Sequence, residues 1–239
     1  MGNGYIGNTP AWSPVGPSQT TTQIGGYYRT LVYTSTGANT WTKQANLKRI
    51  RVTVVGGGGS GAGCAATSGT QCSIGQSGGG GGTSIKTIEA ASLGSNETVT
   101  VGAKGTKGAA GAAGTAGGTS SFGAHCSATG GAAGAVGGPT SELSIAGAAG
   151  GIGSGGDINI SGRPSTAIVS WGGHFVCQAS AGGSTHGQPD YAVTGSNPGA
   201  APPAGNYGAG GTGASNDVSQ SARQGGDGSA GIVIVEEFY

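Results

Sequence analysis

The sequence contains few charged and few aromatic residues. Charged residues make up 8% and aromatic residues 5% of the 239 positions, and ten lysines and arginines stand against nine aspartates and glutamates. A formal net charge of +1 does not supply the basic surface that neutralises phosphates, so nucleic-acid binding is not predicted. The chain also lacks an apolar run of about 18 residues, so no membrane-spanning helix is predicted.

Sequence signatures of cofactor, metal and catalytic sites are also scarce. The four cysteines contain no C-x-x-C pair and show no zinc-ligand spacing. Segment 151–156 matches G-x-G-x-x-G, but no helix is predicted after it, so dinucleotide binding is not expected. Polysaccharide cleavage uses paired carboxylates. Only Glu236 and Glu237 are adjacent, and on a strand they point to opposite faces. We predict no metal, no cofactor and no enzymatic activity.

Glycine, in contrast, occupies 57 of the 239 positions, against a usual share of about 7%. Glycine-rich chains often form flexible linkers, which is one alternative here. Two β-branched runs, at 50–55 and 232–235, indicate an ordered chain instead. Ordering each glycine costs about 0.5–1 kcal/mol relative to alanine. A folded chain therefore needs a structure in which glycine allows close hydrogen bonding between backbones.

Strand patterns without helical periodicity predict an all-β protein. Residues 48–55 alternate apolar and polar side chains, as a strand with one buried face does. Further strand candidates are 28–34, 83–89, 97–101, 142–145, 157–160, 167–171 and 231–238. We predict a small antiparallel sheet or sandwich with essentially no α-helix. Residues 1–27, which include three prolines, are predicted to form an extended arm, and residues 28–239 the glycine-rich domain.

Residues 102–117 carry glycine at every third position. This is the period of polyproline II and of collagen, but the segment contains no proline, so collagen is disfavoured. Polyglycine II helices share that three-fold geometry and bond laterally, because they form no internal hydrogen bonds. We predict a stack of such helices, with 102–117 as one helix about 47 Å long at roughly 3.1 Å per residue. Lys104 and Lys107 mark its solvent side.

Several segments join glycine runs to strands or repeat short motifs. They are 48–61 (KRIRVTVVGGGGSG), 119–131 (TSSFGAHCSATGG), 155–162 (GGDINISG) and 223–239 (RQGGDGSAGIVIVEEFY). They resemble the opening strand, internal motifs and closing strand of the glycine-rich domains at the ends of bacteriophage tail fibres and receptor-binding tips. Segment 4–10 (GYIGNTP) resembles a short element that fixes small phage fibres to the tail.

The resemblance implies a virion protein that adheres to the bacterial surface without chemical turnover. Its receptor would be a surface polysaccharide or an outer-membrane or pilus protein, and such fibres are commonly homotrimers. The arm would contact tail or baseplate proteins through Tyr5, Ile6, Asn8, Pro10 and Trp12. Cys64 and Cys72 flank a loop and could form a disulfide, but phage proteins fold in a reducing cytoplasm, which favours buried free thiols.

Residues 163–210 hold an unusual share of the bulky side chains, in predicted loops where recognition residues concentrate. The candidate receptor-binding residues are Trp171, His174, Phe175, His186, Tyr191 and Tyr207. Tryptophan and tyrosine offer both an apolar face and a polar group. The sequence is equally compatible with Trp171 in a small core, whereas Tyr191 and Tyr207 are expected to be exposed.

The sequence leaves open two alternative functions and the pairing partner of one strand. A glycine-rich antifreeze protein would use a flat row of small side chains: Ala103, Thr106, Ala109, Ala112 and Thr115. The strong strands and the arm argue against it, because an ice binder needs neither. A purely structural virion protein is the third reading. The apolar strand 232–235 must either pair within the chain, with 50–55 as a candidate, or meet a symmetry mate.

Overall fold

The computed structural model describes residues 18–23, 26–177, 180–189 and 196–239, with side chains for 28–174, 180–189 and 196–239. These residues form seventeen strands and one 3₁₀ turn, Ala90–Ser92. The strands are β1 (Ser18–Gln23), β2 (Gly26–Tyr33), β3 (Gly37–Thr42), β4 (Arg49–Val55), β5 (Cys72–Gly75), β6 (Thr83–Glu89), β7 (Asn96–Val101), β8 (Ser120–Phe122), β9 (Cys126–Ala128), β10 (Val136–Thr140), β11 (Leu143–Ile145), β12 (Gly153–Ser154), β13 (Ile158–Ile160), β14 (Ile168–Trp171), β15 (His174–Cys177), β16 (Ser215–Asn216) and β17 (Ile232–Phe238). The all-β prediction is confirmed. No helix among the described residues is long and apolar enough to cross a membrane.

Two antiparallel sheets share one hydrophobic core at one end of the molecule, which we call the base. The first sheet has the order β1-β2-β17-β4-β6-β13 and the second β12-β9-β8-β7-β3. The alternating apolar residues predicted in 48–55 face this core, together with Trp41 and Phe122, whose rings meet edge to face at 5.6 Å. The predicted sandwich is therefore present, with β1, from the predicted arm, at one edge of it.

The C-terminal strand β17 lies inside the first sheet. Ile234 is opposite Val32 of β2 on one side and Thr53 of β4 on the other. Of the two pairings left open by the sequence, the one within the chain, with 50–55, is therefore the one found. Both edges of β17 are hydrogen-bonded, so this strand does not require a symmetry mate to cover it.

The strands of the base continue beyond the sheets as segments that belong to no strand. These glycine segments are 56–64, 76–82, 102–109, 112–119, 129–135, 147–152, 161–166, 209–214 and 223–231. They run to the opposite end, the distal end, where two three-stranded sheets have the orders β10-β5-β16 and β11-β14-β15. Ile74 and Ile168 form a second, small core there, with Leu143 packed against it.

Segment 56–64 lies at the centre of the glycine segments and is bonded to six neighbours. Its N–H groups donate in rotation to 112–118, 223–229 and 76–82, returning to the same neighbour every third residue, with N···O distances from 2.8 to 3.1 Å. Its carbonyl oxygens accept from 105–111, 131–134 and 211–214. This lateral bonding satisfies the backbone that glycine exposes. Hydrogen bonds alone do not define the backbone conformation, so the polyglycine II helix stays a prediction.

The prediction of one long helix at 102–117 is wrong. The chain reverses at 109–112, and the two halves run antiparallel: Ala112 N–H donates to Ala109 O at 2.9 Å and Gly118 N–H donates to Ala103 O at 2.7 Å. Gly111 has φ +71° and supplies the left-handed turn conformation. Because this turn glycine also falls on the three-residue period, the sequence pattern runs through the reversal without interruption and does not reveal it. Lys104 and Lys107 are exposed, as predicted.

Candidate binding surface at the distal end

Five loops converge at the distal end. They are 65–71, 109–112, 141–142, 172–173 and 217–222, together with the strand ends that flank them. Thr67 N–H donates to Gln220 O at 2.9 Å, and Gly173 N–H donates to Ser141 O at 2.8 Å. Two pairs of these loops are thus bonded to each other, and Gly111 N–H of the turn 109–112 donates to Cys64 O of a glycine segment at 3.0 Å. The result is a surface of irregular backbone on a bonded scaffold. Such surfaces are where recognition residues concentrate.

Trp171 is the most exposed large apolar side chain among the described residues, at 69%. It ends β14, and Gly172 and Gly173 connect it to β15 with φ values of +60° and +79°. Two consecutive positive φ angles are typical of a tight hairpin turn whose twist matches its strands. The alternative that placed Trp171 in a small core is therefore wrong. On the same strand Ile168 is buried and Val169 is 39% exposed, so the core is filled by the alternate positions.

His174 lies directly opposite Trp171 across this hairpin. Its Nδ1 is 3.1 Å from Oδ1 of Asp217, with 68% of the histidine side chain and 38% of the aspartate side chain exposed. Asp217 is held in place because Ser196 Oγ accepts its N–H at 2.9 Å and its own Oδ1 accepts the N–H of Val218 at 2.9 Å. The hairpin thus presents an indole, an imidazole and a carboxylate together on one exposed surface.

Asp217 and Val169 are surface residues that the sequence analysis did not identify. The strand 167–171 was predicted, but the hairpin that joins it to β15 was not. Asp217 lies 43 positions after His174 in the sequence, and the two meet only because the glycine segments bring their loops to the same end. No local pattern carries that information.

His186 and Tyr207 lie near the base rather than at the distal end. Tyr207 N–H donates to His186 O at 3.1 Å, and Thr185 Oγ1 lies 2.6 Å from Oγ1 of Thr83, the first residue of β6. Burial lowers the pKa of His186. Tyr207 is partly buried, so the expectation that it is exposed is wrong, because its loop packs against the end of the sheet. The structure therefore does not unite the predicted residues in one site.

Several of the predicted site residues lie outside the part of the chain that the structure describes. The side chain of Phe175 and all of Tyr191 are outside the described residues. The same holds for the predicted attachment residues Tyr5, Ile6, Asn8, Pro10 and Trp12.

The two adjacent glutamates and three of the cysteines occupy defined exposed or buried positions in the fold. Glu236 and Glu237 point to opposite faces of β17: Glu236 lies 3.9 Å from Arg51 on the outside, and Glu237 is fully buried. Cys64, Cys72 and Cys126 are buried free thiols, and burial raises the pKa of Cys126 to about 11. Among the described residues no three His, Cys, Asp or Glu side chains are grouped as metal ligands.

The architecture defines a class of protein: an all-β scaffold in which a two-sheet base continues into laterally bonded glycine segments. Residues 34–237 match the glycine-rich domain family, so the chain belongs to that family. No curated protein matches the sequence.

Proposed function

We propose that the protein is a bacteriophage tail-fibre adhesin that attaches the virion to a bacterial surface receptor through its distal end, by non-covalent binding. The observation that carries the proposal is the Trp171 hairpin: an exposed indole beside the His174–Asp217 pair, on loops rooted in a bonded scaffold. An exposed aromatic side chain with adjacent hydrogen-bonding groups suits recognition of a sugar ring or a protein edge.

The separation of the distal loops from the base, where the N-terminal residues enter the fold, supports the same role. The distal loops lie beyond the laterally bonded glycine segments, so we expect their sequences to change with little effect on the stack. The N-terminal residues enter the fold through β1 at the base, away from the distal loops. Attachment to tail or baseplate proteins through the arm of residues 1–27, location in the virion and assembly as a homotrimer belong to this proposal.

The ice-binding alternative depends on one straight row of small side chains. The turn at 109–112 divides that row, leaving Ala103, Thr106 and Ala109 on one arm of a hairpin and Ala112 and Thr115 on the other. In addition, Thr115 Oγ1 accepts the N–H of Thr106 at 2.7 Å, so this hydroxyl is already engaged. No observation on the described residues favours ice binding or a purely structural role over adhesion.

A cell-binding assay tests the proposal. Fluorescently labelled full-length protein is incubated with a panel of bacterial strains, and bound protein is measured by flow cytometry. We expect Trp171→Ala to reduce the affinity for the strains that bind by about tenfold or more, as at a tryptophan hot spot. Thermal stability should not change, because the side chain is exposed.

The matched control removes an aromatic residue at the other end of the glycine segments. His186→Ala should leave cell binding unchanged. Failure of the wild-type protein to bind any strain would contradict adhesion, and equal binding by Trp171→Ala would contradict the distal location.

A further inference from the structure

The exposed tryptophan of the distal hairpin has an acidic residue on each side of it. On one side, His174 lies opposite Trp171 and 3.1 Å from Asp217. On the other side, β11 pairs with β14 up to the residue before Trp171, and Glu142 is the residue that precedes β11. This register places the exposed Glu142 beside Trp171, on the side away from His174. Trp171 therefore stands between two acidic residues.

Two hydrogen-bonding atoms beside this tryptophan have no partner among the described residues. Asp217 uses its Oδ1 for the N–H of Val218 and for the contact with His174, so its Oδ2 remains available. His174 presents Nδ1 to that carboxylate, which leaves its Nε2 as an acceptor when the imidazole is neutral. The hairpin thus offers two acceptor atoms to hydroxyl groups, next to the apolar face of an indole.

The charge of the distal loops disfavours an anionic ligand. The five loops contain two acidic residues, Glu142 and Asp217, and neither lysine nor arginine. Arg223, which follows the last loop, donates its Nε to Asn216 Oδ1 at 2.8 Å and its Nη2 to Gln220 Oε1 at 3.1 Å. Its guanidinium group therefore supports the loop from within. A polymer rich in carboxylate or phosphate groups would meet two like charges in these loops and no basic side chain to bind it.

The apolar part of this surface matches one sugar ring better than it matches a protein partner. Of the exposed large hydrophobic side chains among the described residues, only Trp171 and Val169 belong to the distal end. A protein partner buries about 800 Å² on each side, around a core of apolar and aromatic residues. A single indole is instead large enough to cover the C–H face of one sugar ring.

We propose that the group recognised by the distal end is a neutral hexose of a surface polysaccharide, with hydroxyl groups on adjacent carbons. The C–H face of the ring stacks on the indole of Trp171, and two hydroxyl groups donate to Asp217 Oδ2 and His174 Nε2. This assignment rests on the proposed adhesin function and names the class of receptor. One such site binds weakly, but its repetition in a homotrimer raises the affinity for a polymer that repeats the same sugar.

Selective treatment of cells tests the inference with the full-length protein. Strains that bind the protein are treated with periodate, which cleaves the bond between carbons that carry adjacent hydroxyl groups, or with proteinase K. We expect periodate to reduce binding in flow cytometry by about tenfold or more, because the repeated contacts are lost together. Proteinase K should leave binding unchanged. Binding that persists after periodate, or that proteinase K removes, overturns the inference while the adhesin function stands. Failure to bind any strain overturns both.

Purified glycans then distinguish the two sources of such a sugar. Lipopolysaccharide and capsular polysaccharide from a bound strain are immobilised separately, and binding is measured by surface plasmon resonance. We expect binding to at least one of them. The affinity should change by less than about twofold between about 0.05 and 0.5 M sodium chloride, because a neutral sugar has no charge for salt to screen. Binding to neither glycan, or marked weakening by salt, overturns the inference.

A variant of the carboxylate tests the assigned contact on the same glycan. Asp217→Ala should weaken binding by about tenfold, as expected for the loss of a hydrogen bond to a charged group. The matched control is Glu236→Ala, which removes a partly exposed carboxylate from the base and should leave binding unchanged. Circular dichroism verifies the fold of each variant, and His174→Ala serves if Asp217→Ala does not fold. Equal binding by wild type and the distal variant overturns the inference.

Discussion

The glycines of segment 56–64 differ from those of the loops in what surrounds them. At Gly58 a Cβ atom would lie 1.9 Å from the carbonyl oxygen of Ala209. At Gly69, in a distal loop, it would meet nothing within 4 Å, and at Gly111 the nearest atom is 3.8 Å away, so only the φ of +71° requires glycine. Glycine is therefore needed in the segments because the backbones approach closely, and at the turn because the φ angle is positive.

Gly58→Ala should destabilise the protein by several kcal/mol, because the methyl group can be accommodated only if two hydrogen-bonded backbones separate. Gly69→Ala is the matched control. It should be neutral or stabilise by up to about 1 kcal/mol, because alanine restricts the unfolded chain without a clash. Urea unfolding followed by circular dichroism measures both. Equal midpoints would show that the central segment is not closely packed.

Glu237 and Glu236 are adjacent carboxylates with opposite environments. Glu237 accepts hydrogen bonds from Arg29 Nε at 2.7 Å, Trp41 Nε1 at 2.7 Å and the Tyr239 hydroxyl at 2.6 Å. Glu237→Ala should cost about 3–5 kcal/mol, since it leaves the Arg29 charge without its buried partner.

Glu236→Ala should change stability by less than about 1 kcal/mol, because its ion pair is exposed. The free energies of unfolding of the two variants give the comparison directly. If Glu236→Ala lowered the free energy of unfolding as much as Glu237→Ala does, the buried hydrogen bonds of Glu237 would not be the source of its stabilising effect.

At the scale of elements, the hairpin at 102–119 is attached to segment 223–231 by Asp227. Lys104 Nζ lies 2.7 Å from its Oδ2, and the backbone N–H of Lys107 donates to its Oδ1 at 2.8 Å. Partial burial raises the pKa of Asp227, but the bonds from Lys104 and Lys107 outweigh it and hold that pKa below its ordinary value of 3.8. A depressed pKa means that folding favours the charged form, so the contribution is present above the ordinary pKa and lost as the pH falls through the lower value.

Asp227→Asn should therefore lower stability at pH 7 and make little difference at the acid end of the titration. The effect at pH 7 should be at most about 1 kcal/mol, because the Lys104 side chain is half exposed and the pair is screened by solvent. Urea midpoints of wild type and variant at several pH values measure it. Lys107→Ala is the control that should be nearly neutral, because its backbone rather than its side chain makes the bond. A difference that grows on acidification would contradict the assignment.

Most elements of the base could be predicted from the sequence, and most of the distal end could not. The strand 83–89 agrees with β6, and 231–238 agrees with β17 to within one residue, because alternating apolar residues face a core. Strands such as β5 and β10 escaped prediction because they are short and contain glycine, and their pairing is decided by distant segments. The fold of 102–119 was missed for a related reason. Glycine at every third position indicates that neighbouring backbones approach closely, but it does not indicate where the chain reverses direction.

At the scale of the molecule, the lateral bonds should make segments that belong to no strand as rigid as the sheets. We expect the amides of 56–63 and 76–82 to exchange with deuterium as slowly as those of β4, since their N–H groups are bonded between backbones and opening them requires disruption of the whole stack. Loop 65–71 should exchange much faster. Mass spectrometry of peptic fragments measures both. Exchange of 56–63 at the rate of the loop would contradict the lateral bonding.

The position of β17 between β2 and β4 has a consequence for how the chain reaches this structure. The first sheet cannot close until residues 232–238 are available, and segment 56–64 takes its six neighbours from residues 76 to 229. Early segments therefore leave the ribosome without their hydrogen-bonding partners. Most contacts span a large sequence separation, so we expect folding to be slow and close to all-or-none. A truncated chain that lacks the last strand would not form a smaller version of the molecule but would remain largely unfolded.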